Sequence, residues 1–333
     1  MSRARILTFS LLALLATPVT AQFGQNIVQY DRYDWRYIQS PFFDIYFYGD
    51  DASLAEYAAS VANDAYRQIS DRLNWQIQKR ISIMIYQSHA DFQQTNVTFS
   101  YLYEGIGGFT ELFKNRVVVP FEGSYDSFRH VIRHELVHAL LNDMIYGGNV
   151  QSIISGRIRY AIPGWMNEGL AEYLASGWDA NSDMYMRDLA LHGDIVPIQQ
   201  LGGLYSYRGG QSLWRFITGK YGQESIAEVF GRIKSTGNVE RGIQAAIGAD
   251  YELLTEQWKD YLKKQYWPDV AGRERIKDFA HAVTNHEKLE NVYNIAPSIS
   301  PDGSKLAILR NRHSTMEIVL ISATDGRFLK QLI

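Results

Sequence analysis

Cysteine is absent from all 333 residues. That excludes disulfide staples, thiolate metal sites and thiol nucleophiles, and leaves the hydrophobic core and any bound metal as the sources of stability. No single sign of charge predominates either. Thirty-three Lys and Arg stand against 36 Asp and Glu, for a net charge of −3 with both signs interspersed. Such a surface lacks the basic footprint of a nucleic-acid binder, so no nucleic-acid partner is expected. Long apolar runs are missing as well. The stretch Ile6 to Ala16 is shorter than the roughly eighteen residues a bilayer span requires, and no later stretch approaches that length. No transmembrane segment is therefore expected in the mature chain. Arg3 and Arg5 precede the apolar stretch, and Val19-Thr20-Ala21 follows it as a small-residue cleavage site. Residues 1–21 thus read as a cleaved signal peptide, which predicts a secreted or periplasmic protein.

What the chain does contain is a pair of chemically pointed segments. The first is HELVH at 134–138. A helix turns once every ~3.6 residues, so His134 and His138 project from one face about a turn apart. That spacing lets both imidazoles reach a single Zn²⁺ and leaves Glu135 beside it as a base for an attacking water. Val131, Ile132, Leu136, Val137, Ala139, Leu140 and Leu141 frame the motif with no Pro or Gly, which predicts a buried helix. The bland alternative is a core helix whose histidines are satisfied by hydrogen bonds. A second segment argues against it, because buried imidazoles and carboxylates are costly without a metal or a charged partner.

That second segment is Pro163-Gly164-Trp165-Met166-Asn167-Glu168-Gly169-Leu170-Ala171-Glu172-Tyr173. Pro163 and Gly164 mark a turn, and Trp165 to Ala175 reads as a helix. Glu168 and Glu172 are again i and i+4 on one face. Glu168 can complete the protein's share of a tetrahedral metal site. Glu172 can accept the free ring N–H of a ligating His and fix its tautomer, although a solvated helix face is the simpler reading of it.

HELVH followed by W-M-N-E-G-L-A-E resembles the gluzincin (peptidase MA-like) zinc metallopeptidases, the group containing thermolysin and the aminopeptidase-N-like enzymes. The wording is nearest the aminopeptidase-like branch. By position, the resemblance implies His134, His138 and Glu168 as zinc ligands, Glu135 as general base and Glu172 as the support of a ligand. It also implies a Tyr at the start of a downstream helix, donating to the developing oxyanion. Tyr207, in Tyr207-Arg208-Gly209-Gly210 ahead of a helical run from Gln211 to Tyr221, is the candidate, with Tyr205 as runner-up. The gap from His138 to Glu168 is longer than in thermolysin-like enzymes, so residues 142–162 read as an insertion between the two helices. Aminopeptidase-like relatives anchor a substrate α-amine through an acidic group on a strand. Glu111 could serve here, but the motif is not matched, and endopeptidase action is favoured. His130 lies a turn before His134 and could line the cleft or sit beside it. The other histidines, such as His89 and His192, have no ligand-like spacing.

The pass along the chain predicts an α+β fold. Strands are expected at Phe42 to Tyr48, Arg80 to Tyr86, Gly107 to Phe109 and Arg116 to Pro120, with a helix over Ser53 to Leu73. They give a small mixed sheet over the active-site helix, whose edge strand, by the resemblance, pairs with substrate backbone. A helical subdomain follows, with helices at Gln211 to Tyr221, Ser225 to Ser235, Val239 to Ile247 and Tyr251 to Gln265, punctuated by Gly222, Gly237 and Gly248. The metallopeptidase domain is thus expected over residues 22–272, opening with a polar, aromatic-rich lead-in over Gln22 to Gln39. Residues 273–290 are charged and linker-like. Over 291–333, four short strands near 295–299, 305–310, 316–321 and 327–332 turn at Asp302-Gly303 and Asp325-Gly326. The phrase around Pro301-Asp302-Gly303 resembles one blade of a TolB-like β-propeller, and one blade cannot close a propeller. The expectation is an exported zinc-dependent peptidase that hydrolyses peptide or protein substrates through a zinc-activated water. The rival is a catalytically silent scaffold whose propeller binds an envelope protein partner.

Overall fold

Alternating apolar and polar side chains build the first layer of the structure. A computed structural model of the chain describes residues 29–333 apart from 51, 97, 99–101, 112–113, 148–160, 194, 275, 286–292 and 313–314. The stretch read as a signal peptide lies outside the described residues, as does most of the stretch read as an insertion between the motif helices. The chain divides into two compact units, one ending at Tyr266 and the other beginning at Trp267.

The first unit opens with a five-stranded mixed sheet made of β1 (Arg36–Gln39), β2 (Phe43–Phe47), β3 (Ile81–Tyr86), β4 (Phe109–Glu111) and β5 (Arg116–Pro120), in the order β1-β2-β3-β5-β4. The β2–β3 and β3–β5 pairs are parallel, and both edge strands run antiparallel to their neighbours. β1 falls in the stretch read as a polar lead-in. Its exposed, weakly alternating Arg36-Tyr37-Ile38-Gln39 gave no local strand signal, and pairing with β2 is what makes it a strand.

Alternation then sorts the sheet's two faces. Phe43, Ile45, Ile83, Ile85, Val117 and Val119 point into the main core, under α1 (Ser53–Leu73) and α3 (Tyr125–Tyr146). Tyr86, Val118 and Phe109 point the other way, into a smaller cluster with Phe92 from the short helix α2 (His89–Phe92). Full burial of an Ile is worth about 1.5–3 kcal/mol, so this two-faced pattern fixes the register firmly.

The rest of the first unit is mainly helical: α4 (Gly164–Ser176), α5 (Ala180–His192), α6 (Leu204–Tyr221), α7 (Ser225–Thr236), α8 (Val239–Ile247) and α9 (Tyr251–Tyr266), of which α5 was not among the helices expected. Gly222, Gly237 and Gly248 do end helices, each at positive φ. One expectation fails here. The helix expected from Gln211 begins two turns earlier, because α6 starts at Leu204 and runs straight through Tyr207-Arg208-Gly209-Gly210. Gly210, together with Gly169 of α4, is there for proximity. A Cβ on Gly210 would meet the Trp165 carbonyl oxygen at 2.1 Å, and one on Gly169 would meet the Gly210 carbonyl carbon at 2.3 Å. Helices α4 and α6 therefore cross backbone to backbone.

The second unit carries two short helices, α10 (Pro268–Ala271) and α11 (Ile276–Phe279), and a four-stranded antiparallel sheet. Its strands, β6 (Asn294–Ile299), β7 (Lys305–Arg312), β8 (Thr315–Ser322) and β9 (Phe328–Gln331), follow chain order. Ile308, Val319 and Ile321 are buried on one face, with Val283 from the linker-like stretch packed against them. Ile295, Ile299 and Phe328 are exposed.

Candidate metal centre

Helix α3 carries the first half of the site. Ser124 caps it by accepting from the Ser127 N–H, and no Pro or Gly interrupts it before Gly147, which ends it at positive φ. It is buried nearly all round through the motif, so His134, Glu135 and His138 are all buried. Helix α4 packs across it and supplies Glu168 and Glu172, which also face inward.

The donor atoms form a nearly equilateral triangle. His134 Nε2 and His138 Nε2 are 3.1 Å apart, and Glu168 Oε2 lies 3.3 Å from each. Ligands about 2.0–2.1 Å from one centre in a tetrahedron are about 3.3 Å from one another, so these atoms have the spacing of a tetrahedral zinc's ligands. The chemistry agrees with the spacing. Two imidazole nitrogens at 3.1 Å present lone pair to lone pair unless a proton or a cation lies between them. The electrostatics show the same demand. Burial pulls His134 down, but the hydrogen bonds to Glu168 and Glu172 and the charge of Glu135 outweigh it and raise it to about 10. Burial pushes Glu168 up, and its bonds to His134 and His138 reverse that, holding it well below the usual carboxylate range. Both shifts run in the direction that favours positive charge among these groups.

Glu172 sits behind this triangle. Its Oε1 is 3.0 Å from His134 Nδ1 and 3.3 Å from His130 Nε2, while Oε2 accepts from Arg208 Nη1 at 3.1 Å. The His134 contact lies off the ideal hydrogen-bond line, yet it is close enough to keep the proton on Nδ1 and turn Nε2 toward the triangle. Burial pushes Glu172 up, and His130 and His134 more than offset it, so this carboxyl is also held low. The solvated-face reading of Glu172 is thus wrong; its side chain is 8% exposed. His130 is fixed from both sides, with Ser176 Oγ 2.8 Å from its Nδ1. His138 Nδ1 is buried with no protein partner among the described residues.

Among the described residues a second group, His130, His134 and Glu172, could also hold a metal ion. It shares His134 with the first, and the Arg208 guanidinium bonded to Glu172 would repel a cation there. The His134, His138 and Glu168 triangle has no such obstacle.

Glu135 is reached from the sheet. Edge strand β4 presents Thr110 to α3, and its Oγ1 lies 2.8 Å from Glu135 Oε2 and 2.9 Å from the Glu135 carbonyl oxygen. Neighbouring Glu111 points to the opposite face and accepts from Arg116 Nε at 2.6 Å. It does not line the cleft. Tyr207, in the first turn of α6, stacks beside His134 with ring centroids 6.1 Å apart and planes 14° from parallel. Burial and the nearby Glu168 hold its phenol above the ordinary value, so it stays a proton donor. Tyr205, two residues away, is not in the cleft lining.

His134, Glu135, Glu172 and Tyr207 line a cleft of about 330 Å³ whose walls also include Tyr103, Ile106 and Val131. Gly108 lets its floor lie flat on the helix, since a Cβ there would come within 2.8 Å of Val131. Two participants escaped the reading of the sequence. Arg208 stood ahead of the helical run expected from Gln211 and was given no role. Thr110 could have been found by phase, because it pairs with Val117 and must share that residue's face.

Comparison with known proteins bears on the same region. A sequence model described as the Peptidase MA superfamily matches residues 61–264. A search of curated proteins finds no match. Among solved structures, a mutant M1 zinc metallopeptidase from Deinococcus radiodurans aligns with a TM-score of 0.39 and 13% identity. The alignment covers 67% of this chain and 50% of that one, so the chain spans half the length of that structure.

Proposed function

Since the chain belongs to the Peptidase MA superfamily over residues 61–264, we propose that it is a zinc-dependent peptidase cutting within polypeptide chains. The observation that carries this reading is the triangle of His134, His138 and Glu168 donors at 3.1–3.3 Å with Glu135 alongside. Those three residues would hold the ion, which when bound supplies Lewis acidity toward water and a peptide carbonyl.

The remaining steps belong to the chain's own residues. Glu135 takes the proton of the attacking water and later delivers it to the leaving amine. Thr110 holds one oxygen of that carboxylate, leaving the other free for the proton. Tyr207 donates its phenolic hydrogen to the oxyanion that develops as the carbonyl is attacked. Glu172 keeps His134 in the tautomer that offers Nε2.

Cleavage within chains is supported by the direction of Glu111. An aminopeptidase needs a carboxylate to receive the substrate's free α-amine, and Glu111 is engaged by Arg116 on the far face of the sheet. The scaffold reading, in which the C-terminal sheet binds a protein partner, finds less support, because the His134, His138 and Glu168 donors stand within 3.3 Å of one another with Glu135 on the same helix. The resemblance of that sheet to a propeller blade and the export of the chain remain parts of the proposal. For export, the support is the pattern of residues 1–21, and no helix among the described residues is long and apolar enough to cross a membrane.

The test is metal analysis and proteolysis together. Purified protein is expected to carry one zinc per chain. Glu135→Gln is expected to keep that zinc and lose about 10²- to 10⁴-fold in kcat on a denatured polypeptide. Mass-spectrometric mapping should find internal cleavage positions. Absence of zinc, or full activity in Glu135→Gln, would overturn the reading.

A further inference from the structure

Glu172 faces two ways at once. One carboxylate oxygen turns to His134 and His130, and the other accepts from Arg208. Its side chain is only 8% exposed, so water contributes little to holding it. We propose that Arg208 is a positioning residue that locks Glu172 against His134, so that helix α6 governs the orientation of a metal-binding imidazole on α3. The inference rests on the zinc reading.

The physical case begins with what a carboxylate can do unaided. A glutamate bonded at one oxygen still rotates about its last torsion, and here His130 offers it a second partner 3.3 Å away. A donor on the opposite oxygen removes that freedom. Arginine suits the task, since a planar guanidinium with fixed N–H directions specifies where the carboxylate lies as well as attracting it.

Arg208 is itself well anchored. Its Nη1 also donates to Ser182 Oγ at 3.1 Å, with Asp179 Oδ2 3.8 Å away. Ser182 Oγ donates in turn to Gln211 Oε1 at 2.6 Å, and Gln211 Nε2 donates to the Gly177 carbonyl at 2.9 Å. Ser182 and Gln211 are fully buried. The chain of bonds runs from the start of α5, through α6, to the imidazole on α3. Arg208 also adjoins Tyr207, so the anchor that orients the imidazole fixes the helical turn bearing the phenol.

A plainer role is conceivable: Arg208 could merely pin the start of α5 to α6. A double-mutant cycle on zinc affinity separates the two. The full chain is prepared as wild type, Arg208→Met, Glu172→Gln and the double variant, and zinc is titrated against a coloured chelator. Circular dichroism is recorded for each. Acting through Glu172, Arg208→Met is expected to weaken zinc binding about tenfold with an unchanged spectrum, within the range usual for groups that orient a ligand. The double variant should then bind zinc no more weakly than Glu172→Gln alone. Wild-type affinity in Arg208→Met would overturn the inference, as would a further tenfold loss in the double variant. Should Arg208→Met fail to fold, Arg208→Lys, which keeps the charge without the planar fork, takes its place in the cycle. Absence of zinc from the wild type would instead overturn the metal reading on which the inference rests.

Discussion

Thr110 places a single hydroxyl between the carboxylate and the carbonyl of Glu135. A hydroxyl has one proton to give, and given to Oε2 it fixes one oxygen of the carboxylate and frees the other. Thr110→Val removes the donor while keeping the shape of the side chain. It is expected to lower kcat about tenfold, a barrier change of about 1.4 kcal/mol, with zinc content unchanged. Thr110→Ser should retain most of the rate. Steady-state kinetics on the three proteins would decide, and equal rates for Val and wild type would reduce Thr110 to packing. At this scale the sequence was legible wherever function lay along one helix. His134, Glu135 and His138 share a turn of α3, Glu168 and Glu172 share a turn of α4, and the i, i+4 spacing announces both sets. Thr110 and Arg208 act from other elements, brought near only by folding, and no local spacing encodes that.

Among the elements, the crossing of α4 over α6 has the least tolerance. Gly169 and Gly210 leave no side chain between the two backbones. In Gly169→Ala the new methyl would meet the Gly210 carbonyl carbon at 2.3 Å, so the helices must separate. Overpacking of this kind costs about 1–3 kcal/mol. Because Glu168 adjoins Gly169 and Tyr207 lies a turn before Gly210, the same displacement should weaken zinc binding. Urea denaturation paired with zinc titration is the measurement; an unchanged midpoint would show that the crossing has slack. The strands and most helices were readable because burial of one face imposes a period on the sequence. Paired glycines in Arg208-Gly209-Gly210-Gln211 carry the local signature of a turn, and only a partner helix far away in the chain makes them helical. Strand β1 was missed for the related reason that its partner, not its composition, defines it.

For the whole molecule, every group assigned to the metal centre lies between Thr110 and Arg208, inside the unit that ends at Tyr266. Leu254, Trp258, Leu262 and Tyr266 of α9 are buried in that unit's core, so a cut must fall beyond them. Truncation after Gly272 is expected to leave a folded protein with full zinc affinity. It should be at least as soluble as the complete chain, since it removes the exposed Ile295, Ile299 and Phe328. Loss of folding or of zinc in that fragment would show that the C-terminal sheet supports the first unit. Within the first unit, the parts of the centre come from an edge strand and three helices spread over that long stretch of chain. A nascent segment bearing only the two histidines of α3 can grip an ion at two points, weakly. The third donor arrives when α4 docks, and the outer buttress arrives only when α6 closes over it. Tight capture of an ion by all three donors therefore requires α3 and α4 to be docked together, so zinc affinity would report on that docking.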